Sequence, residues 1–528
     1  VNKALLRPDQ ALGYYEQAHE ISQRYGIKEV EWRAAAGKAT LLREEGKLPD
    51  ALTWFTKGVE VVEGMRAALK IDELRNSFQT NKLDLYRDII TLLITMNRTD
   101  DAFNFLERSR SRSFIDLLGN QKLSFKNEGD KETWTKINRL ASTVDSLKSE
   151  LGSNEKPPAD LQERYRNTKA LYEEAILEVK QENPALSSFV SVDPLDLKGV
   201  QALLSSKVGL LTYFITKDQL YLWLITKERT IFKTVSAKEE DLTRLVTRYR
   251  QLVQHLEPDD DELEKLYASL IQPVEGDIKN LEYLGIIPDG PLHFLSFAAL
   301  KHGPAYLVDE IPLFYAPSAS VFQFTFAKRQ AVKNDKVLAI GNPDLGNFNY
   351  DLPLAELEAQ SIKWNYPNMD ILTGKKATKE WVVKNISRYG IIHLAAHGEF
   401  DEGNPLLSSL WLASENPENR RLTVKEIFGL EINADLVTLS ACQTGLGKLE
   451  AGELIGLNRA FIYAGTHALV SALWRVDDLS TSVLMKHFYR NYVTANKAKS
   501  LRQAQLIVKK DFPHPSYWAA ISLIGDYQ

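Results

Sequence analysis

The stretch GIIHLAAHG, Gly390 to Gly398, decides how the second half of this 528-residue chain is read. Its apolar run shows no alternation and stops at His-Gly, the pattern of a parallel strand buried on both faces. Upstream lie a strand (KVLAIGNP), a helix (LAELEAQSIKWNY), a short strand (DILTG) and a helix (ATKEWVVKNI). Downstream come a helix (TVKEIFGL), a strand (ADLVTLSAC), a helix (GELIGLNRAFIYAG), a strand (HALVSALW) and a helix (STSVLMKHFYRNYV). Strand and helix in turn predict a largely parallel sheet covered on both faces. In such sheets, functional groups collect at the carboxyl ends of strands. His397 and Cys442 both fall there, at the ends of successive strands.

The region before it, from Ser187, has a different texture. VGLLTYFITKDQLYLWLITKERTIFKTV carries aromatic and β-branched runs broken by Lys-Asp and Lys-Glu-Arg, which predicts an antiparallel meander. A helix follows (DLTRLVTRYRQLV), and LGIIPDGPLHFLSFAAL reads as a strand, a Pro-Asp-Gly turn and a second strand. Residues 121–186 are charged and helical in pattern, split by GSNEKPPAD, and read as a helical hairpin connector with a solvated face.

The first 120 residues repeat. LLREEGKLPDALTWF (Leu41–Phe55) lies over LLITMNRTDDAFNFL (Leu92–Leu106) at an offset of 51, pairing Gly46 with Asn97 and Ala51 with Ala102. ALGYYEQAHEI aligns Ala11, Leu12 and Tyr15 with Ala51, Leu52 and Phe55. Each unit is a helix, a Gly or Asn turn, and Asp-Ala-aromatic opening a second helix. Such helical hairpins resemble tetratricopeptide repeats, with periods longer than the usual ~34 residues. The expected organisation is therefore multidomain: helical repeats over 1–120, the connector over 121–186, an N-terminal lobe over 187–330 and an α/β lobe over 331–528.

Composition narrows function. A net charge of -5 gives no electrostatic reason to expect nucleic acid. One cysteine excludes an internal disulfide and any multi-cysteine zinc site, and fits a reducing compartment or indifference to redox state. No apolar run nears the ~20 residues that span a bilayer and VNKALLRPDQ lacks the regions of a signal peptide, so a soluble, cytoplasmic protein is expected. The chain opens on Val1 rather than Met, a start compatible with a fragment whose upstream repeats lie outside it.

A peptide-cleaving cysteine needs its thiolate, and an imidazole near enough to take the proton and hand it to the leaving amine. Neighbouring parallel strands lie ~4.8 Å apart, so groups from the loops at their ends can meet. Glycines follow both residues, and backbone amides at Gly398 and Cys442 are candidates to hold an oxyanion. The competing reading is an inert buried thiol, the usual fate of a lone cysteine. His393, four residues before His397, does not make a chelating pair, because four strand residues span ~13 Å. It reads as a core-facing residue, and His467 and His514 as structural. IGNPDLGNFN lacks a nucleotide-loop pattern and reads as a loop near the sheet's carboxyl edge.

HLAAHG and SACQTG on this strand order resemble the caspase-fold cysteine peptidases. LSACQTGLG, LVSALWRVDD and HPSYWAAISLIGD, beneath tetratricopeptide-like repeats, resemble more closely the CHAT domain, over about Ser187 to Gln528. The resemblance implies a caspase-like and separase-like α/β fold with an inactive first lobe. It further implies a cysteine endopeptidase with His397 as general base and Cys442 as nucleophile, and no cofactor or metal. It also implies a protein substrate, a regulatory or activating partner received by the repeats, and a bacterial setting in defence or regulation; from charge and hydropathy, no direct nucleic acid or membrane contact is expected. Metacaspases carry Asp two residues before the nucleophile; here Ser440 stands there, leaving Asp477 and Asp478 as pocket candidates, with helix capping as their alternative role. The rival function is a silent scaffold in which the repeats bind protein and the caspase-like lobe does no chemistry.

Overall fold

The computed structural model describes residues 8–68, 75–119, 194–257, 260–328, 335–401, 404–440, 448–450 and 453–528, with a few positions between 136 and 171. Most of the expected connector lies outside the described residues, as does Cys442. The chain forms two compact units, Val1–Leu197 and Lys198–Gln528.

Residues 8–119 of the first unit form five helices: α1 (Pro8–Arg24), α2 (Lys28–Glu44), α3 (Leu48–Ala68), α4 (Arg75–Thr95) and α5 (Thr99–Gly119). The sequence repeat is also a repeat of backbone geometry. Gly46 and Asn97 both take the left-handed conformation (φ 78° and 59°) just past α2 and α4. In each case the next amide bonds back into the last turn, Lys47 N to Leu42 O at 2.9 Å and Arg98 N to Leu93 O at 2.8 Å. This closure satisfies carbonyls that a helix end leaves open. The aligned Ala11, Ala51 and Ala102 are buried, as are Phe55 and Leu106. Tyr15 lies so close to Gly37 on α2 that a β-carbon there would overlap its ring.

The second unit is organised by one eleven-stranded sheet. Its strands are β1 (Val208–Ile215), β2 (Leu220–Ile225), β3 (Thr230–Val235), β4 (Tyr283–Ile287), β5 (Leu313–Tyr315), β6 (Val337–Pro343), β7 (Met369–Gly374), β8 (Ile391–Ala395), β12 (Leu436–Leu439), β13 (Ala468–Ala472) and β14 (Ile521–Gly525). A smaller sheet holds β9 (Gly398–Glu399), β10 (Ser409–Trp411) and β11 (Arg421–Thr423). The large sheet runs β3-β2-β1-β4-β5-β14-β13-β12-β8-β6-β7. β1 to β3 are the expected antiparallel meander, and β12, β8, β6 and β7 pair in parallel. The C-terminal strand β14 lies between β5 and β13, parallel to the first and antiparallel to the second. One continuous sheet thereby joins strands from both sides of residue 330.

Two local expectations fail. After β4 the apolar run forms 3-10 turns, Gly290–Phe294 and Phe297–Ala299, instead of a second strand. Pro291 at the first turn favours that geometry, and Leu292, Leu295 and Phe297 are buried all the same. The helix expected from Gly452 begins only at Leu457, because Glu453–Ile455 pairs with Lys448–Glu450 as a hairpin.

Three helices on this unit are α6 (Pro353–Ile362) and α7 (Asp478–Tyr492), which flank the site, and α8 (Lys497–Asp511). Gly341 lets α6 approach β6, since a β-carbon there would sit 2.6 Å from Ala355 O and 2.8 Å from Ala359 Cβ. At the opposite edge of the sheet, Asp435 opens β12 and collects Tyr492 Oη at 2.5 Å and Lys497 Nζ at 3.0 Å, with His467 Nδ1 at 3.5 Å. Burial raises the Asp435 carboxyl, but these three partners together outweigh it and leave it well below the usual carboxylate range. His467 is thus a structural residue at the amino edge. His514 is likewise structural, its Nδ1 accepting from Ser516 N at 3.2 Å while Nε2 donates to Glu257 O at 3.0 Å.

Two outcomes are expected. Gly341→Ala must push a backbone carbonyl aside, so it should lower stability by about 1–3 kcal/mol, read as a reduced melting temperature. Asp435 contributes fully above its unfolded pKa of about 3.9 and less as pH falls toward its depressed folded value. Asp435→Asn should therefore cost on the order of 2 kcal/mol at neutral pH, with the gap to wild type closing below about pH 4 in thermal melts. A gap independent of pH would contradict the assignment.

Candidate active site

β8 and β12 run in parallel with His393 opposite Thr438 and Leu394 opposite Leu439. Ser440 N continues the ladder to Leu394 O at 2.9 Å. His397 and Cys442 are each four residues beyond the His393–Thr438 pair in sequence, but residues 441–447 lie outside the described residues.

The two histidines of GIIHLAAHG have different surroundings. His393 is fully buried, its Nδ1 3.2 Å from Tyr489 Oη on α7, and Tyr489 Oη donates to Thr438 Oγ1 at 2.8 Å. Its Nε2 lies 3.0 Å from Glu358 Oε1 on α6, a polar contact whose alignment falls short of a hydrogen bond. This is the core-facing role expected of it, with polar partners the sequence pattern did not reveal.

His397 leaves β8 and is half-buried. Its Nε2 lies 2.8 Å from the Tyr350 carbonyl. A carbonyl only accepts, so Nε2 carries the proton and Nδ1 holds the lone pair of the neutral ring. Tyr350 closes the loop that follows β6. Asn342, in the left-handed conformation (φ 49°), anchors that loop by accepting from Leu352 N at 2.7 Å. The loop expected near the sheet's carboxyl edge thus ends against the histidine.

Trp411 N donates to His397 O at 2.9 Å. Since Gly398 pairs with Leu410 one step along, Gly398 occupies the non-hydrogen-bonded position of this antiparallel pair. Its amide therefore points away from β10. Beside it stands an aromatic wall. Tyr350 meets the His397 ring edge-on at 5.7 Å and stacks on Trp411 at 6.1 Å. Trp411 Nε1 donates to Glu399 Oε2 at 3.0 Å, and Arg421 pairs with Glu399 at 2.9 Å. Sequence reasoning missed Tyr350, Glu399, Trp411 and Arg421; only Glu399, two residues past His397, carried a local signal.

The two aspartates separate as well. Asp477 is the N-cap of α7, its Oδ1 accepting from Ser480 N at 2.8 Å, which is the capping role weighed for it. Asp478 is exposed at the first turn. Partial desolvation, reinforced by Asp477 and Glu358, holds its carboxyl above the ordinary range, while Arg475 and His397 pull it back. Asp478 and His397 are thus within electrostatic reach of each other. Among the described residues, no group of three or more His, Cys, Asp or Glu side chains could hold a metal ion. No helix among them is long and apolar enough to cross a membrane.

The CHAT domain model matches residues 260–526, just over half of the chain. Tetratricopeptide repeat protein 28 of Mus musculus is 27% identical over 350 residues, which are 55% of this chain and 14% of that protein. The chain therefore spans about a seventh of that relative's length. In three dimensions it is similar to the Saccharomyces cerevisiae separase–securin complex, at 9% identity and TM-score 0.42, covering 94% of this chain and 44% of that one. It is also similar to the Arg-specific cysteine proteinase gingipain R, at 10% identity and TM-score 0.37, covering 55% and 74%. With the family model matched over more than half its length, the chain belongs to the CHAT domain family.

Proposed function

We propose that the chain is a cysteine endopeptidase in which Cys442 is the nucleophile and His397 the base. The observation that carries this reading is the 2.8 Å contact from His397 Nε2 to the Tyr350 carbonyl. A ring held in that tautomer keeps Nδ1 free to take the thiol proton. The thiolate then adds to the scissile carbonyl, forming a carbon–sulfur bond. The oxyanion is met by the Gly398 amide, directed away from β10, and by the Cys442 amide. As the carbon–nitrogen bond breaks, imidazolium returns its proton to the leaving amine, and water activated by the same ring hydrolyses the thioester. Asp478 is the acidic side chain assigned to the substrate side of His397; Ser440 lines the strand end beside it, and Asp477 is engaged in capping. The helical repeats α1 to α5 are assigned to a protein partner or to the substrate. A cytoplasmic setting and a bacterial role in defence or regulation belong to this reading.

Cys442 is the sole cysteine, so alkylation reports on it without ambiguity. A thiol paired with imidazole is a thiolate at mildly acidic pH. Iodoacetamide should therefore modify the wild-type chain at pH 6 about tenfold faster than a free thiol, and His397→Ala should remove the excess. Equal rates for wild type, His397→Ala and a free thiol would sink the dyad and favour a folded scaffold without chemistry.

A further inference from the structure

In the proposed mechanism the proton that His397 takes from the thiol is returned to the nitrogen that leaves. That nitrogen must come within hydrogen-bond reach of the ring, so the stretch of substrate after the scissile bond passes over His397. Side chains packed against the His397 ring therefore line its path. Tyr350 is one, meeting the ring edge-on with centroids 5.7 Å apart.

The Tyr350 ring is fixed and yet open. It ends the 3-10 turn Phe348–Tyr350, which Asn347 caps by accepting from Asn349 N at 3.0 Å and which Asn342 ties down through Leu352 N. The ring stacks on Trp411 at 6.1 Å. Trp411 is itself anchored, its indole N–H donating to Glu399 and the Arg421 guanidinium lying 5.8 Å from its ring centroid. Glu399 and Arg421 are paired with each other, so these two charges are already matched. Tyr350 is nonetheless 45% exposed, and Phe348 in the same turn is 80% exposed, the highest value for a large apolar side chain among the described residues. Single exposed apolar residues are ordinary, but two aromatic rings in one anchored turn beside a candidate base form a surface for an apolar ligand group.

We propose that Tyr350, backed by Trp411 and extended by Phe348, selects a large apolar or aromatic residue immediately after the scissile bond. The inference rests on the peptidase reading and adds to it the side of the bond on which the substrate is read. A ring laid on a platform that is already anchored loses little freedom of the protein side chains, and aromatic pairs gain from ring geometry beyond the area they bury. Tyr350 thereby has two separable roles. Its backbone oxygen orients the base, and its side chain receives the substrate.

The test uses the full chain, its sole cysteine and three free-amine peptides, Phe-Ala-Ala-amide, Gly-Ala-Ala-amide and Lys-Ala-Ala-amide, which stand in for the product released on the leaving side. Each is added during iodoacetamide alkylation of Cys442 at pH 6, with the rate in the absence of peptide as every protein's own reference. The phenylalanine peptide should halve the rate at a concentration about tenfold lower than the other two. Tyr350→Ala removes the ring and keeps the backbone carbonyl that bonds His397; this variant and Trp411→Ala should each abolish the difference, and Tyr350→Phe should keep it. Fast, His397-dependent alkylation that the three peptides slow equally or not at all would overturn this inference and leave the peptidase reading standing. So would stronger protection by the lysine peptide, or an unchanged preference in both alanine variants. Alkylation no faster than that of a free thiol would remove the peptidase reading and this inference with it.

Discussion

Everything at the carboxyl edge of the sheet hangs on a buried polar node centred on His393. Through Tyr489 it ties β8 to α7, through Thr438 it reaches β12, and through Glu358 it ties β8 to α6. Those four elements present the candidate site. β8 leads into His397, β12 into Ser440, α6 follows the loop that ends at Tyr350, and α7 begins at Asp478. Apolar residues would fill the same space, but they would not fix which turn of each helix faces the strand. A buried polar contact is strict in that respect, because a buried polar group left without its partner costs about 1–3 kcal/mol.

Rigidity below allows a simple arrangement above. His397 needs one hydrogen bond to choose its tautomer, and a backbone carbonyl is a constant acceptor that no titration removes. The carbonyl is held in turn by the Asn342 anchor and by the close approach of α6 to Gly341. Gly398 turns its amide outward because the strand pairing alternates, with no special loop required. In the proposed reading, the oxyanion donor comes from ordinary strand pairing just past β8, and the base is oriented by the carbonyl of the loop that ends at Tyr350.

Much of this was legible in the sequence. Alternating strands and helices, the unbroken apolar run before His393, and the matched turns at Gly46 and Asn97 are local patterns, and local patterns survive into the fold. The different fates of His393 and His397 were legible too, since one lies inside the run and the other past it. What was hidden depends on tertiary contact. Tyr350 lies 47 residues from His397, and its backbone oxygen, which any residue would supply, does the holding. Glu358 reads as one more helix carboxylate until the fold aims it at His393. The run Leu292–Leu300 is apolar enough for a strand, and only Pro291 hinted at 3-10 turns. That the last strand of the chain would enter the middle of the sheet is a matter of topology, which periodicity does not encode.

The central claim is that this edge cleaves peptide bonds through Cys442 and His397. It is tested most directly by sequencing new protein N-termini after native cell extract is incubated with the wild-type chain, with Cys442→Ala, and with His397→Ala. The account predicts a defined set of new termini with wild type that is absent from both variants, and uncleaved substrates retained on Cys442→Ala. The same termini from all three proteins, or none beyond background from wild type under every condition that engages its partner, would contradict it.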